Sequence, residues 1–142
     1  MKQKTLFLLA LMTGAGLLFS AKSAAASVSG FVWSDLNTNG IQDAGEPGLA
    51  SIWVRLLDAN GNQVDAQPTD TLGNYLFDNV QPGTYILHFA NPGGLWQTLQ
   101  DQGNNDAVDS DADPLGYTAK FDVAAGQALH LQPVADVDAG GA

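Results

Sequence analysis

The sequence predicts an all-β fold, a sandwich of seven short strands. Three observations carry that expectation. Segments rich in β-branched and aromatic residues recur at near-regular spacing along the chain. Turn signals separate them: Asn60-Gly61, Leu72-Gly73, Pro82-Gly83 and Gly126. No stretch shows the three-to-four-residue apolar period of an amphipathic helix. Short strands with frequent turns and no helices pack as two facing sheets.

The elements follow in order. Residues 1–26 read as a secretory signal peptide. Lys2 and Lys4 supply its positive start and Thr5–Phe19 its apolar stretch, too short and glycine-broken for a good membrane span. Ala24-Ala25-Ala26 supplies small residues for cleavage. The expected mature chain is soluble and exported: extracellular, at the cell surface, or periplasmic. About 116 residues remain, enough for one domain over 27–138, with a frayed glycine-rich tail at 139–142. Strand one is Val28–Trp33. Strand two is Ser51–Asp58, with Ile52, Val54 and Leu56 on one face and Trp53, Arg55 and Leu57 on the other. Strands three and four are Gln63–Thr69 and Asn74–Asp78. Strand five, Thr84–Ala90, alternates Tyr85, Leu87 and Phe89 against Thr84, Ile86 and His88. An irregular stretch, Asn91–Gly116, is long for a compact domain, and such loops are commonly functional or disordered. Strands six and seven are Tyr117–Val123 and Leu129–Val137.

Between strands one and two lies Asp35-Leu36-Asn37-Thr38-Asn39-Gly40-Ile41-Gln42-Asp43-Ala44-Gly45-Glu46. Oxygen-bearing side chains occupy its first, third, fifth and ninth places, glycine its sixth and glutamate its twelfth. That is the ligand order of an EF-hand calcium loop. A hard cation takes about six to eight oxygens. Asp35, Asn37, Asn39 and Asp43 would point inward in turn, Ile41 would offer its carbonyl, and Glu46 would reach back with both oxygens. Gly40 permits the sharp turn. The plainer reading is an Asx-turn loop, rich in Asp, Asn and Gly because turns are; six matches in register favour Ca2+. Strands rather than helices flank the loop, which implies a static structural ion rather than a helix-opening switch.

A second acidic run lies in the long loop: Asp106, Asp109, Asp111 and Asp113, four carboxylates within eight residues. In an extended chain Asp109, Asp111 and Asp113 share one side. They form a second calcium site or a strap completing the first; a solvated acidic loop is the bland alternative.

All 15 acidic residues lie beyond residue 26, where Arg55 and Lys120 are the sole cations, so the net charge there is about −13. Nucleic acid and anionic membrane surfaces are disfavoured partners; an extracellular protein or glycan fits better. With no cysteine there is neither a disulfide framework nor a thiol nucleophile. His88 and His130 sit on alternating strands outside any catalytic or zinc spacing. A glycosidase carboxylate pair is the remaining catalytic option, but the carboxylates are patterned as metal ligands. The chain reads as no enzyme. Trp53 is expected to face outward, able to stack on a sugar ring or a partner, or else to pack with Trp96 beneath the long loop.

The order Val28-Ser29-Gly30-Phe31-Val32-Trp33, then the Asp35–Glu46 loop, Pro47-Gly48-Leu49-Ala50, Asp58-Ala59-Asn60-Gly61, Asp70-Thr71-Leu72-Gly73-Asn74-Tyr75-Leu76-Phe77, Pro82-Gly83-Thr84-Tyr85 and Asp109-Ser110-Asp111-Ala112-Asp113-Pro114 resembles the calcium-binding B domain of bacterial serine-aspartate-repeat (SD-repeat) adhesins, which is related to Cna-type B domains. The resemblance covers essentially the whole mature chain. It implies a prealbumin-like (Cna-B/Ig-like) β-sandwich stiffened by calcium and used as a spacer or surface module of adhesin type. It implies Asp35, Asn37, Asn39, Asp43, Glu46 and the Ile41 carbonyl as ligands, with Asp109, Asp111 and Asp113 as further ones. The chain departs from those adhesins in showing one such domain, without a ligand-binding region or a wall-sorting signal. It also has no lysine on strand one, so the Lys–Asn crosslink of many Cna-type domains is not expected.

Overall fold

The computed structural model describes residues 23–90, 95–97, 99, 101–102, 104–105, 109–131 and 134–138. Nearly all of the expected signal peptide and the whole 139–142 tail lie outside them, as does Asp106.

Nine strands form among the described residues: β1 (Ala26–Ser34), β2 (Trp53–Asp58), β3 (Gln63–Pro68), β4 (Asn74–Val80), β5 (Gly83–Phe89), β6 (Leu95–Gln97), β7 (Phe121–Val123), β8 (Ala128–His130) and β9 (Val134–Asp138). They make two sheets. One runs β4-β1-β9-β6, with β8 also paired to β1; the other runs β3-β2-β5-β7. β1 is the hub of the first sheet. It pairs antiparallel with β4 and parallel with both β8 and β9.

The all-β sandwich is as the sequence predicts, with three adjustments. The run read as one strand, Leu129–Val137, is two, β8 and β9. Pro133 lies between them, and proline cannot donate to a ladder. The run Tyr117–Val123 touches β5 twice, at an isolated His88–Tyr117 bridge and along β7. The long loop also contributes a short strand, β6, paired to β9.

The alternation does the packing. In β5 Tyr85, Leu87 and Phe89 are buried and the residues between them are not. Val54 and Leu56 flank them on the neighbouring strand β2, and Val28 and Val32 from β1 and Tyr75 and Phe77 from β4 join them from the other sheet. Tyr75 meets Phe89 edge-on with ring centroids 5.7 Å apart, an arrangement favoured by aromatic quadrupoles. Leu57 departs from the expected outward face and is buried, because the β2–β3 register slips between Leu56 and Leu57. A bulge of this kind turns the following side chain to the other face.

Three turns repeat one device. In Asp58–Asn62, Asp70–Asn74 and Asp113–Tyr117 the aspartate Oδ1 accepts the backbone N–H groups two and four residues on, at 2.8–2.9 Å. The fourth residue is glycine each time, with φ of 85°, 91° and 86°. Gly61, Gly73 and Gly116 each return an N–H to the aspartate carbonyl at 2.8–3.0 Å.

Candidate metal centre

β1 delivers the loop. Its last turns carry Val32, which faces the core, and Trp33, which is also fully buried yet lies outside the core cluster. Trp33 is covered by the returning chain instead. Ser34 N–H donates to the Pro47 carbonyl at 2.8 Å, and Trp33 pairs with Gly48. The indole Nε1 of Trp33 donates to Glu46 Oε2 at 3.0 Å. Glu46 thus closes the loop onto the strand that opens it, and also accepts Leu36 N–H at 2.8 Å and Asp43 N–H at 2.9 Å.

Inside the loop, Asp35 is 1% exposed. Its Oδ2 accepts Gly40 N–H at 2.7 Å and its Oδ1 accepts Asn39 N–H at 3.2 Å. The Asn37 and Asn39 amides both donate to Asp43 Oδ2 at 2.8 Å, so three predicted ligand side chains converge on one point. Those amides hold the Asp43 carboxyl below its ordinary range. Each asparagine Oδ1 accepts one backbone N–H, from Asn39 and Ile41 respectively, and retains a second lone pair. Thr38, a β-branched residue, takes φ of 59° to complete the wrap.

The acidic run comes to this loop. Ile41 pairs with Asp109 in an isolated antiparallel bridge, and Ser110 N–H donates to the Gly40 carbonyl at 3.2 Å. Asp101 N–H donates in turn to the Ser110 carbonyl at 3.1 Å. A Cβ on Gly40 would collide with the Leu99 carbonyl and the Gln102 side chain, so these two residues also lie over the loop. Asp109 is 3% exposed, which makes it the second nearly buried carboxylate at this seam. Asp111 is half-buried, close enough to Tyr75 to act on its hydroxyl. Asp113 spends its Oδ1 capping its own turn. Among the described residues no three His, Cys, Asp or Glu side chains converge as a metal cage. Glu46, turned to Trp33 and Leu36, is one reason. The loop's donors nonetheless suit a hard cation in kind: carboxylates, amide oxygens and a carbonyl, with no nitrogen or sulfur ligand required.

A second group of polar side chains lies on the outer face of the β3-β2-β5-β7 sheet, which the sequence flagged only through Trp53. Trp53 is 51% exposed and Arg55 is exposed two residues on. Arg55 stands opposite His88 and its guanidinium lies 3.3 Å from His88 Nδ1. The His88 ring packs on Tyr117, centroids 4.3 Å apart. Partial burial and the Arg55 charge hold the His88 pKa below its ordinary value, against a weaker opposing pull from Asp113. Nothing is described of the Trp96 side chain. His130, on the other sheet, lies 3.1 Å from Ser29 Oγ through Nδ1.

The SdrD B-like domain family matches residues 26–140. The chain belongs to that family. The chain is 42% identical over 92 residues, 65% of its length, to serine-aspartate repeat-containing protein F of Staphylococcus epidermidis, of which it covers 6%. It is 41% identical over 92 residues to the fibrinogen-binding protein of the same species, covering 65% of this chain and 8% of that protein. It is 43% identical over 81 residues to serine-aspartate repeat-containing protein C of Staphylococcus aureus, covering 57% of this chain and 8% of that protein. The chain therefore spans under a tenth of the length of these relatives. In fold it is similar to the minor pilin GBS52 of Streptococcus agalactiae, with a TM-score of 0.53 at 11% identity over 81% of this chain and 45% of that one.

Proposed function

We propose that this B-like domain is an exported, non-catalytic sandwich stabilised by calcium, acting as a structural or surface-interaction module of adhesin type. One observation supports the metal part: the Asn37, Asn39 and Asp43 side chains converge beside the buried Asp35, and the Ile41–Asp109 bridge brings the acidic run to the same loop in a chain whose net charge is −10. Burying carboxylates is costly unless they are hydrogen-bonded or paired with a cation. Asp35, Asn37, Asn39, Asp43 and Glu46, with the Ile41 carbonyl and Asp109 from the strap, would hold the ion. Asp113 has its Oδ1 engaged in its own turn, so Asp113 and Asp111 are assigned as further ligands rather than members of that first set.

The ion's role is thermodynamic. A ligand bound only by the folded state, at a concentration about a hundredfold above its Kd, adds roughly 2.7 kcal/mol. That is a substantial share of the ~5–15 kcal/mol typical of a domain. The test is thermal melting in millimolar calcium and in EDTA, with calcium titration calorimetry on Asp35→Asn and Glu46→Gln. A higher Tm in calcium, and weakened binding in both variants, are expected. An unchanged Tm, with no calcium heat in the parent chain, would sink the reading.

No catalytic role is assigned. The two histidines are engaged elsewhere, His88 with Arg55 and Tyr117 and His130 with Ser29, on exposed sheet surfaces away from the loop's carboxylates. A second reading, carbohydrate binding, draws on the half-exposed Trp53 beside Arg55.

A further inference from the structure

Beyond residue 26 the charge is almost all of one sign, and one of the two exceptions is placed unusually. Arg55 is one of two cations beyond residue 26. It stands on the flat outer face of β2 between two exposed aromatics, Trp53 along its own strand and Tyr117 across the sheet beyond His88. Trp53 lies two residues away, roughly 7 Å along a strand. A tryptophan half exposed on a sheet face is uncommon, since its large apolar surface normally finds cover.

The group is also pre-ordered. His88 Nδ1 sits within hydrogen-bond reach of the guanidinium, and the same ring is stacked on Tyr117. A neutral imidazole accepts there, which spends one of the five N–H donors of Arg55 and fixes the plane of the rest. The remaining donors keep the fork that suits a carboxylate bidentately. Little side-chain entropy is left to lose when such a ligand arrives.

We propose that Trp53, Arg55, His88 and Tyr117 form a binding ledge for a glycan ending in a single carboxylated sugar, with the sugar ring on Trp53 and its carboxylate on Arg55. The proposal rests on the carbohydrate reading above and names its ligand class. Two charge arguments choose between acidic ligands. The local cation favours a carboxylate over a neutral sugar. The surrounding net charge opposes a polyanion: fields are screened only beyond roughly 8 Å at physiological ionic strength, so each further negative residue of a uronate polymer would meet repulsion. One terminal acid on an otherwise neutral glycan satisfies both.

The experiment titrates the whole domain, in calcium, with sialyllactose and separately with lactose, following tryptophan fluorescence and saturation-transfer NMR. Sialyllactose is expected to bind and lactose to bind at least about tenfold more weakly, the weight of one charge-assisted contact. Arg55→Gln should erase that preference, and Trp53→Ala should abolish binding of both sugars. Both variants are surface changes and should melt as the parent does, which separates lost binding from lost folding. Equal binding of the two sugars, unaffected by Arg55→Gln, overturns the acidic-sugar assignment while leaving the carbohydrate reading standing. Binding of neither sugar overturns both, including the case in which a second copy of the chain covers the ledge.

Discussion

Tyr75 holds a position that only its ring explains. It is 3% exposed, packed between Phe77 and Phe89, and its hydroxyl is buried without a hydrogen-bond partner among the described residues. Burial, and secondarily the Asp111 charge, push its pKa upward, so the hydroxyl stays protonated. The hydroxyl lies over Gly30, where any Cβ would overlap it. An unsatisfied buried hydroxyl costs about 1–3 kcal/mol. Tyr75→Phe is therefore expected to raise stability, by about 1 kcal/mol in a urea titration. A loss of similar size would show that the hydroxyl has a partner, such as bound water. The sequence made Tyr75 a core residue by alternation, but periodicity says nothing about where a hydroxyl points.

Among the elements, β1 and the segment that returns along it decide the site. Pro47–Leu49 runs beside Val32–Ser34, and Gly48 is wedged against the turn at Leu72-Gly73. A Cβ on Gly48 would meet the Leu72 carbonyl, a backbone atom that cannot swing aside. Gly48→Ala should cost about 1–3 kcal/mol or more through overpacking. It should also weaken calcium binding, because Glu46 sits two residues before it; a parental Tm with parental calcium affinity would contradict this. What was legible in the chain follows from the same distinction. Strands β2, β4 and β5 lie where alternating large side chains put them, since a buried face imposes period two, whereas β3, exposed or half-buried throughout, was marked by the turn signals around it. The loop proposed for calcium was legible as an order of residues, and hydrogen bonds tie Asp35 to Gly40, Asn37 and Asn39 to Asp43, and Glu46 to Leu36. Its closure by the Trp33 indole was not, because that bond joins the loop to a strand already assigned to the core. The three-fold Asp-x-x-Gly spacing at Asp58, Asp70 and Asp113 is the signal that would have placed Asp113, read as a ligand, at the head of a turn. The Arg55–His88–Tyr117 stack was hidden because it joins three separate stretches of chain.

Over the whole molecule, several carboxylates fold the loop and the turns by accepting hydrogen bonds from amides close in sequence. They set the acid limit. Asp43 is held below its ordinary pKa of 3.8 by the Asn37 and Asn39 amides, Asp58 by the Asn62 side chain, and Asp70 chiefly by the Asn74 backbone N–H. A carboxyl whose folded pKa is depressed binds protons more readily unfolded, so its stabilisation is complete above the unfolded value and lost as pH falls through the folded one. Tm should hold nearly level from pH 7 to about 5 and fall below about 4. In Asp70→Asn the fall should be shallower. A Tm that rises on acidification would mean that relief of charge repulsion outweighs these turns.

The parallel pairing of β1 with β8 and β9 has a mechanical consequence. Tension that enters at the start of β1 and leaves at the end of β9 pulls these neighbours past one another lengthwise. The hydrogen bonds between them then share the load together, instead of opening one by one like a zip. Tethered between two moving bodies, such a domain would yield late and abruptly, as a rigid link in a line under strain.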